Sequence, residues 1–489
     1  MKKWHVALGL TAFSIAIRVP LLDAPLDRDE GSLACFALGL LDGRMPYRDF
    51  ADIKPPLLYP AYLPLALAGS VSSSLFRLAG AFWNSLSVLL LWRLSARIMG
   101  EKTALVAGVL MALFTADPSA AGFIISPELL SHLPVAGAML LLYSAIRLTS
   151  PRQAVLAGAI LGIAIGMKQQ ALPLVFMVIT AWGCRQGARI SLGFFSGALA
   201  TGLASTGGLA LAGLFWPALD CASWGAIHIL KALPVSGITE AFASIFGGAA
   251  ATQAPLWLLA AIGLSDSRIP RRDRIFIGTW LLGALAGIAM GRRPYPYYLQ
   301  LVVPPLALAG GLGIRRLFRK PVGKVASSFR WILAGATLLS LFQVFPLLTV
   351  TREIRARSLQ PDNYFLEAEA VAGWLAKNAP GNKPVFIAGS ELEIAFQSGM
   401  KFAGRAPLPY LLSVKSPDSG NIAGEWIKGV RSDEPGSAVF CRSMKAWGDV
   451  YSDPETTRRL KQTALNYLSG PEWKKAVSIP PFDVYLRNR

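Results

Sequence analysis

Pro56-Leu57-Leu58-Tyr59-Pro60-Ala61-Tyr62-Leu63-Pro64-Leu65-Ala66-Leu67-Ala68-Gly69 is apolar from end to end, yet it runs for only 14 residues. A helix needs about 20 apolar residues to cross a bilayer, so this piece reads as re-entrant or interfacial. The choice fixes the topology of everything after it. If the segment crossed, each later loop would change sides and the Lys/Arg clusters between apolar runs would face outward, against the positive-inside rule. With the segment kept on one face, apolar runs beginning near Trp4, Leu75, Thr103, Glu128, Gln153, Ala171, Ile190, Ala250, Ile275, Tyr298 and Trp331 make about eleven spans. Starting inside, this count places Arg93, Arg97 and Lys102, Arg147 and Arg152, Arg185 and Arg189, and the groups at 268–274 and 315–330 in the cytoplasm. Rule and count agree at every cytoplasmic loop.

Composition points the same way. Of the 489 residues, 53% are hydrophobic and 16% charged, against about 25% charged in a typical soluble domain. The formal charge of +19 is spread between apolar runs, whereas basic residues that bind nucleic acid gather on one face or tail. Nucleic acid is therefore excluded as a partner. The run from Trp4 to Leu22, broken mainly by Arg18 and without a small-x-small cleavage site after it, reads as a retained signal-anchor with its N-terminus in the cytoplasm. Cys35, Cys184, Cys221 and Cys441 form no CxxC and no metal-ligand spacing, so they read as packing residues.

An odd number of spans leaves the chain after about Thr351 on the outer face. There Val385 to Ala388, Ala438 to Cys441 and Val484 to Leu486 read as strands and Glu367 to Asn378 as a helix. Asp453-Pro454-Glu455 is an N-cap, first-turn proline and acidic residue opening a second helix through Leu468, which Gly470 can close. The expected organisation is a transmembrane domain over 1–350 and an exofacial small α/β domain over 351–489. No GxGxxG and no P-loop occurs, so no nucleotide is assigned.

The first outer loop, 23–74, carries most of the chemistry. Leu33, Phe36, Ala37, Leu40 and Leu41 fall at helical spacing with Ser32, Gly39 and Asp42 opposite, as in a helix lying in the interface. Around it stand Asp27-Arg28-Asp29-Glu30 and Tyr47-Arg48-Asp49-Phe50-Ala51-Asp52-Ile53-Lys54-Pro55-Pro56-Leu57. Glycosyl transfer from a lipid phosphate needs a carboxylate to take the acceptor proton and a cation to hold the departing phosphate. Both are present in one loop. Simpler readings exist: Asp29 as the N-cap of the interfacial helix, and Lys54 as a lysine snorkelling beside a proline-initiated helix. Further on, Glu128 opens a span, Lys168 interrupts an apolar region, and Arg292-Arg293-Pro294-Tyr295-Pro296-Tyr297-Tyr298 brings arginines and tyrosines to an outer loop. A first-turn carboxylate, a snorkelling lysine and an aromatic belt are their structural counterparts. His5, His132 and His228 make no ligand pair and receive no role, and Asp117 and Asp220 at span ends are left out of the site.

Asp29-Glu30-Gly31, Gly43, Pro46-Tyr47-Arg48-Asp49 and Lys54-Pro55-Pro56-Leu57, with Glu128-Leu129-Leu130, Gly158-x-x-x-Gly162-x-x-x-Gly166-Met167-Lys168-Gln169 and Tyr297-Tyr298-Leu299-Gln300, resemble the dolichyl-phosphate-mannose protein mannosyltransferase-like family. That family includes the lipid A aminoarabinose transferases and has the C-type glycosyltransferase (GT-C) fold. The resemblance runs from about Trp4 to Arg316 and fades beyond it. It implies Asp29 as general base, with Glu30 beside it shaping acceptor or sugar binding. It implies Lys54 as donor-phosphate ligand and Glu128 as a second acidic residue. Lys168, Arg292 and Arg293 are candidates for further phosphate contacts, and Tyr47, Tyr297 and Tyr298 for sugar or acceptor contacts. Two departures stand out: Tyr297 replaces a histidine found in many relatives, which leaves the donor sugar open, and Ile53 replaces an acidic residue found in the lipid A branch. No metal is supported through that position, and no cofactor is otherwise indicated.

The expected function is an inverting glycosyltransferase of the cell (inner) membrane. It would use a polyprenyl-phosphate sugar donor and a lipid, glycan or protein acceptor at the outer face. The rival reading is a transporter or lipid flippase. Transporters place ionisable groups and broken helices at the midplane, often in repeated halves. Here most charges lie near the surface and no repeat is evident, although Lys168 leaves that criterion partly open.

Overall fold

The computed structural model of the chain describes residues 2–230, 235–292, 295–319, 345–359, 363–413, 422–448 and 452–488, with five single positions between 328 and 337. Helix dominates. Among the described residues, Lys3–Leu21, Ser73–Met99, Pro127–Leu148, Gly187–Leu211, Arg271–Gly291 and Pro296–Leu317 are the 6 segments long and apolar enough to cross a bilayer. These hold six of the expected starts. Of the other five, Thr103 lies in the 15-residue helix Glu101–Thr115, Gln153 in the 17-residue helix Pro151–Met167, and Ala171 in the 13-residue 3₁₀ segment Gln169–Ala181. Ala250 lies in the helix Val235–Leu264, and the run from Trp331 falls mostly outside the described residues.

Two compact units form, one from 1–23, 77–205 and 235–351, the other from 24–76, 206–234 and 352–489. In the first, Trp92, Phe114, Phe194, Phe276 and Trp280 are fully buried among helices. The glycine spacing noticed in Pro151–Met167 has a packing cause: a Cβ on Gly158 would sit 1.8 Å from the Phe194 carbonyl oxygen, and one on Gly197 would sit 2.0 Å from that of Val155. Small residues thus let Pro151–Met167 and Gly187–Leu211 touch backbone to backbone, as membrane helices do where lipid supplies no hydrophobic drive. Arg18, buried in the first span, donates to the carbonyls of Thr115 (2.5 Å) and Gly122 (2.6 Å). Those bonds satisfy a charge that apolar surroundings would otherwise penalise.

The second unit contains a four-stranded sheet in the order β1-β2-β4-β3. β1 (Val385–Ala388) runs parallel to β2 (Ser437–Cys441). β4 (Phe482–Arg487) is antiparallel to β2, and β3 (Trp473–Ile479) is antiparallel to β4. Three of these strands and the helices Phe365–Asn378 and Pro454–Leu468 stand where the sequence placed them. Asp453 caps the last, its carboxylate accepting the Thr456 N–H at 2.7 Å. β3 was not expected. It is an edge strand with exposed Lys474 and Lys475, and edge lysines that discourage pairing with another chain also hide the apolar alternation that marks a strand.

The 24–76 segment of this unit holds the helices Arg28–Leu41 and Leu58–Gly69. Arg28–Leu41 is buried within the unit on more than its apolar face. Leu33, Phe36 and Ala37 are fully buried, Phe36 stacking on Phe50 at 4.5 Å and meeting Phe402 edge-on, but the small-residue face is buried too and Leu41 is exposed. Its small residues are the physical reason. A Cβ on Gly31 would lie 2.3 Å from the Cα of Glu393, so the helix is seated against the short helix Glu393–Ser398 at a distance only glycine allows. All four cysteines are free, three of them buried.

Gly31→Ala should therefore lower the unfolding midpoint of the purified protein, by about 1–3 kcal/mol of overpacking. Gly39→Ala on the same helix should be tolerated, because the nearest atom to its Cβ is 3.6 Å away. Equal midpoints for the two variants would show that the contact at Gly31 does not constrain the helix.

Candidate active site

The site residues read from the sequence divide between the units. Asp29, Glu30, Tyr47 and Lys54 lie in the second; Glu128, Lys168, Arg292, Tyr297 and Tyr298 lie in the first, and Arg293 is outside the described residues.

In the second unit the helix Arg28–Leu41 begins with a capping box. Asp27 is the N-cap, its Oδ1 accepting the Asp29 N–H at 2.7 Å, and Glu30 Oε2 accepts the Asp27 N–H at 2.9 Å. The cap reading of Asp29 is thus corrected: the residue two places earlier caps the helix, and Glu30 is committed to the reciprocal bond and buried. Asp29 sits half-buried in the first turn with its carboxylate outside the cap.

Lys54 does not snorkel to water. Its ammonium lies 3.4 Å from Asp52 Oδ1, and the two side chains are 12% and 0% exposed. Asp52 Oδ1 also accepts the Ile53 N–H at 2.8 Å, and Oδ2 accepts the Tyr59 hydroxyl at 3.3 Å. Burial works against the Lys54 charge, but the carboxylates of Asp52 and then Asp29 outweigh it and hold its pKa above the ordinary lysine value. The loop is fixed by Tyr47, a buried residue in the left-handed region at φ 69°, where a side chain other than glycine is uncommon. Its hydroxyl donates to the Lys54 carbonyl at 2.8 Å, while its own carbonyl accepts two bonds from the Arg405 guanidinium, at 2.8 and 3.1 Å. Arg405 also reaches Asp220 at 3.6 Å, so the three segments of this unit meet at one side chain.

The sequence reading passed over Asp52, Arg28, Glu391 and Glu393. Asp52 was visible as an acid two places before the lysine. Glu391 and Glu393 were visible as two acids inside the apolar stretch that follows β1. Glu393 is fully buried with no hydrogen-bond partner on either carboxylate oxygen. Burial first, then the Glu391 carboxylate, push its pKa well above the usual range. Arg28 faces Asp29, Asp27 and Glu391, and despite burial these carboxylates raise its pKa.

In the first unit Lys168 ends the helix Pro151–Met167 and pairs with Glu128 at 2.9 Å, both side chains buried, with its ammonium 5.6 Å from the centre of the Tyr298 ring. Tyr297 stacks on Tyr295 at 5.2 Å and meets Tyr298 edge-on. Arg292 closes the Arg271–Gly291 helix in the left-handed conformation. His132 bonds the Gln300 backbone carbonyl at 2.8 Å, a packing contact.

Burial, with neighbouring Asp29 and Glu30, pushes Asp27 up to about 7, and burial pushes Glu391 up to about 7. Both titrate near 4 when unfolded. Between those values the folded state binds more protons, so this contribution to stability is complete below about pH 4 and is lost as pH rises through 7. Hydrogen exchange of β1 and β2 should therefore be slower, after correction for intrinsic rates, at pH 5.5 than at pH 8. Glu391→Gln should flatten the dependence. Protection that rises between those values would contradict the assignment.

Residues 54–203 match the family described as dolichyl-phosphate-mannose-protein mannosyltransferase. No curated protein matches by sequence search. Among solved structures, ArnT from Cupriavidus metallidurans in the apo state aligns with a TM-score of 0.63 at 15% identity, over 98% of this chain and 97% of that one. ArnT bound to undecaprenyl phosphate aligns at 0.60 and 16%, with the same coverage. The oligosaccharyltransferase AglB from Archaeoglobus fulgidus, in complex with an inhibitory peptide and a dolichol-phosphate, aligns at 0.55 and 12%, over 93% of this chain and 72% of that one. The resemblance read from the loop motifs is thus met by a mannosyltransferase-family match over 54–203 and, across nearly the whole chain, by the fold of the GT-C membrane glycosyltransferases.

Proposed function

We propose that the chain is an inverting glycosyltransferase that moves a sugar from a polyprenyl-phosphate donor to an acceptor hydroxyl at the outer face of the cell membrane. In this reading about eleven spans carry an exofacial 351–489 domain. One observation carries the proposal: Asp29 is released from capping by Asp27, and within the same unit it acts electrostatically on a Lys54 kept charged by buried Asp52. A base without a structural task and a cation held away from bulk water are the two groups the reaction needs.

The acceptor hydroxyl attacks the anomeric carbon from the face opposite the phosphate. As the new C–O bond forms, the bond from that carbon to the phosphate oxygen breaks, and the configuration inverts. Asp29 takes the hydroxyl proton; the polyprenyl phosphate leaves with the electron pair, its negative charge met by Lys54. Glu30 positions the turn that carries Asp29, and Tyr47 positions Lys54. In the other unit, Lys168, Arg292 and Arg293 are the residues proposed for phosphate, Glu128 is a second acidic residue paired with Lys168, and Tyr297 and Tyr298 are proposed for sugar. A ligated undecaprenyl phosphate in ArnT and a dolichol-phosphate in AglB support a lipid phosphate donor.

Turnover of purified protein with a defined polyprenyl-phosphate sugar tests the assignment. Asn in place of Asp29 leaves the Asp27 cap intact but cannot take a proton, so Asp29→Asn should insert, fold and bind donor while turnover falls roughly 100-fold to 10,000-fold. Lys54→Ala should abolish transfer, with Lys54→Arg retaining part. Near-normal turnover by Asp29→Asn with inactive Glu30→Gln would move the base to Glu30; activity in both would return these acids to a structural role.

A further inference from the structure

A cleft of the second unit, about 670 Å³ in volume, is lined by Arg44, Arg48, Lys383, Lys401 and Arg405 against only two carboxylates, Asp49 and Asp433. Its volume lies within the roughly 300–1,000 Å³ of ordinary ligand sites. Resting on the transferase reading, we propose that this cleft binds the anionic groups of a phosphorylated or carboxylated saccharide acceptor.

The charges carry the inference. Asp49 is already neutralised by both arms of the Arg48 guanidinium, at 2.9 and 2.8 Å. Asp433 is used by the Gly404 N–H at 2.7 Å. Lys383 is exposed and forms no ion pair among the described residues. Lys401 reaches Asp42 at 3.1 Å, but those side chains are 64% and 43% exposed, and an exposed pair contributes so little that an incoming anion can replace it. Arg405 likewise holds Asp220 only at 3.6 Å, with both side chains more than two-fifths exposed. Arg44 is the fixed member, lying over the Phe402 ring at 3.9 Å and donating to the Phe402 and Asp49 carbonyls. A neutral sugar has no use for this surplus; phosphate or carboxylate oxygens do.

The cleft is also wired to the proposed chemistry. Arg405 donates to the Tyr47 carbonyl, and the Tyr47 hydroxyl donates to the Lys54 carbonyl. One lining side chain is therefore two hydrogen bonds from the residue assigned to the leaving group. The Pro46-Tyr47-Arg48-Asp49 motif gains a second purpose: Tyr47 faces inward to the Lys54 turn while Arg48 is exposed in the cleft.

Equilibrium binding to the full detergent-solubilised chain tests this without turnover, using labelled tri-galacturonate, maltotriose phosphate and neutral maltotriose. The two anionic trisaccharides should bind and maltotriose should not, with affinity falling as salt rises. Exposed-site charge reversals Lys383→Glu and Lys401→Glu should each weaken binding about tenfold or more, the usual loss for a charge-assisted contact. Asp29→Asn should bind as wild type does, which separates failure of the cleft from failure of the catalytic assignment. Preference for only one anionic probe would identify the group as carboxylate or phosphate and would support the site. Equal binding of maltotriose, or anionic binding unmoved by both reversals, would overturn it.

Discussion

A carboxylate with no exposure to solvent is expensive unless every oxygen finds a donor, and Asp52 meets that condition with the Ile53 N–H, the Lys54 ammonium and the Tyr59 hydroxyl. Removing one side of such a pair typically costs about 3–5 kcal/mol, because the remaining charge is stranded. This constraint fixes the Lys54 turn, which in turn gives Tyr47 a carbonyl to bond and Arg405 a carbonyl to hold. The 24–76, 206–234 and 352–489 segments of the unit meet at Arg405, which bonds the Tyr47 carbonyl and reaches Asp220.

The same economy explains why the charges divide as they do. The capping box takes Asp27 and Glu30, which leaves the Asp29 carboxylate outside the cap, as its proposed role as base requires. Glu391, which accepts the Ser390 N–H, and Glu393, which has no hydrogen-bond partner among the described residues, are pushed by burial toward their neutral forms. Lys54 is pushed the other way and stays charged. In the first unit Glu128 and Lys168 neutralise each other's charge by direct pairing, the arrangement an apolar interior demands of ionisable residues.

Much of this was legible in the chain itself. Helix type and six spans followed from apolar run length, and the caps at Asp453 and the strands at 385–388 and 484–486 from local patterning. What was hidden depended on partners distant in sequence. The helix Arg28–Leu41 looked amphipathic because Ser32, Gly39 and Asp42 fall opposite its apolar residues, and only the approach of Glu393 to Gly31 shows that the helix is packed closely on another side as well. Asp52 stood in plain view beside Lys54, but its burial depends on Tyr59 and on the folding of the loop around Tyr47. β3 escaped notice because its lysines protect an edge.

In the proposed reaction Lys54, held charged by Asp52, receives the donor phosphate. Binding of a short-chain polyprenyl phosphate, titrated into the detergent-solubilised wild type, Asp52→Asn and Lys54→Ala proteins, tests it without any dependence on the sugar or the acceptor. The account predicts micromolar-class or tighter binding by the wild type, about tenfold or greater weakening in Lys54→Ala, and an intermediate loss in Asp52→Asn, whose lysine keeps its charge but not its position. Equal affinity in all three folded proteins would contradict it.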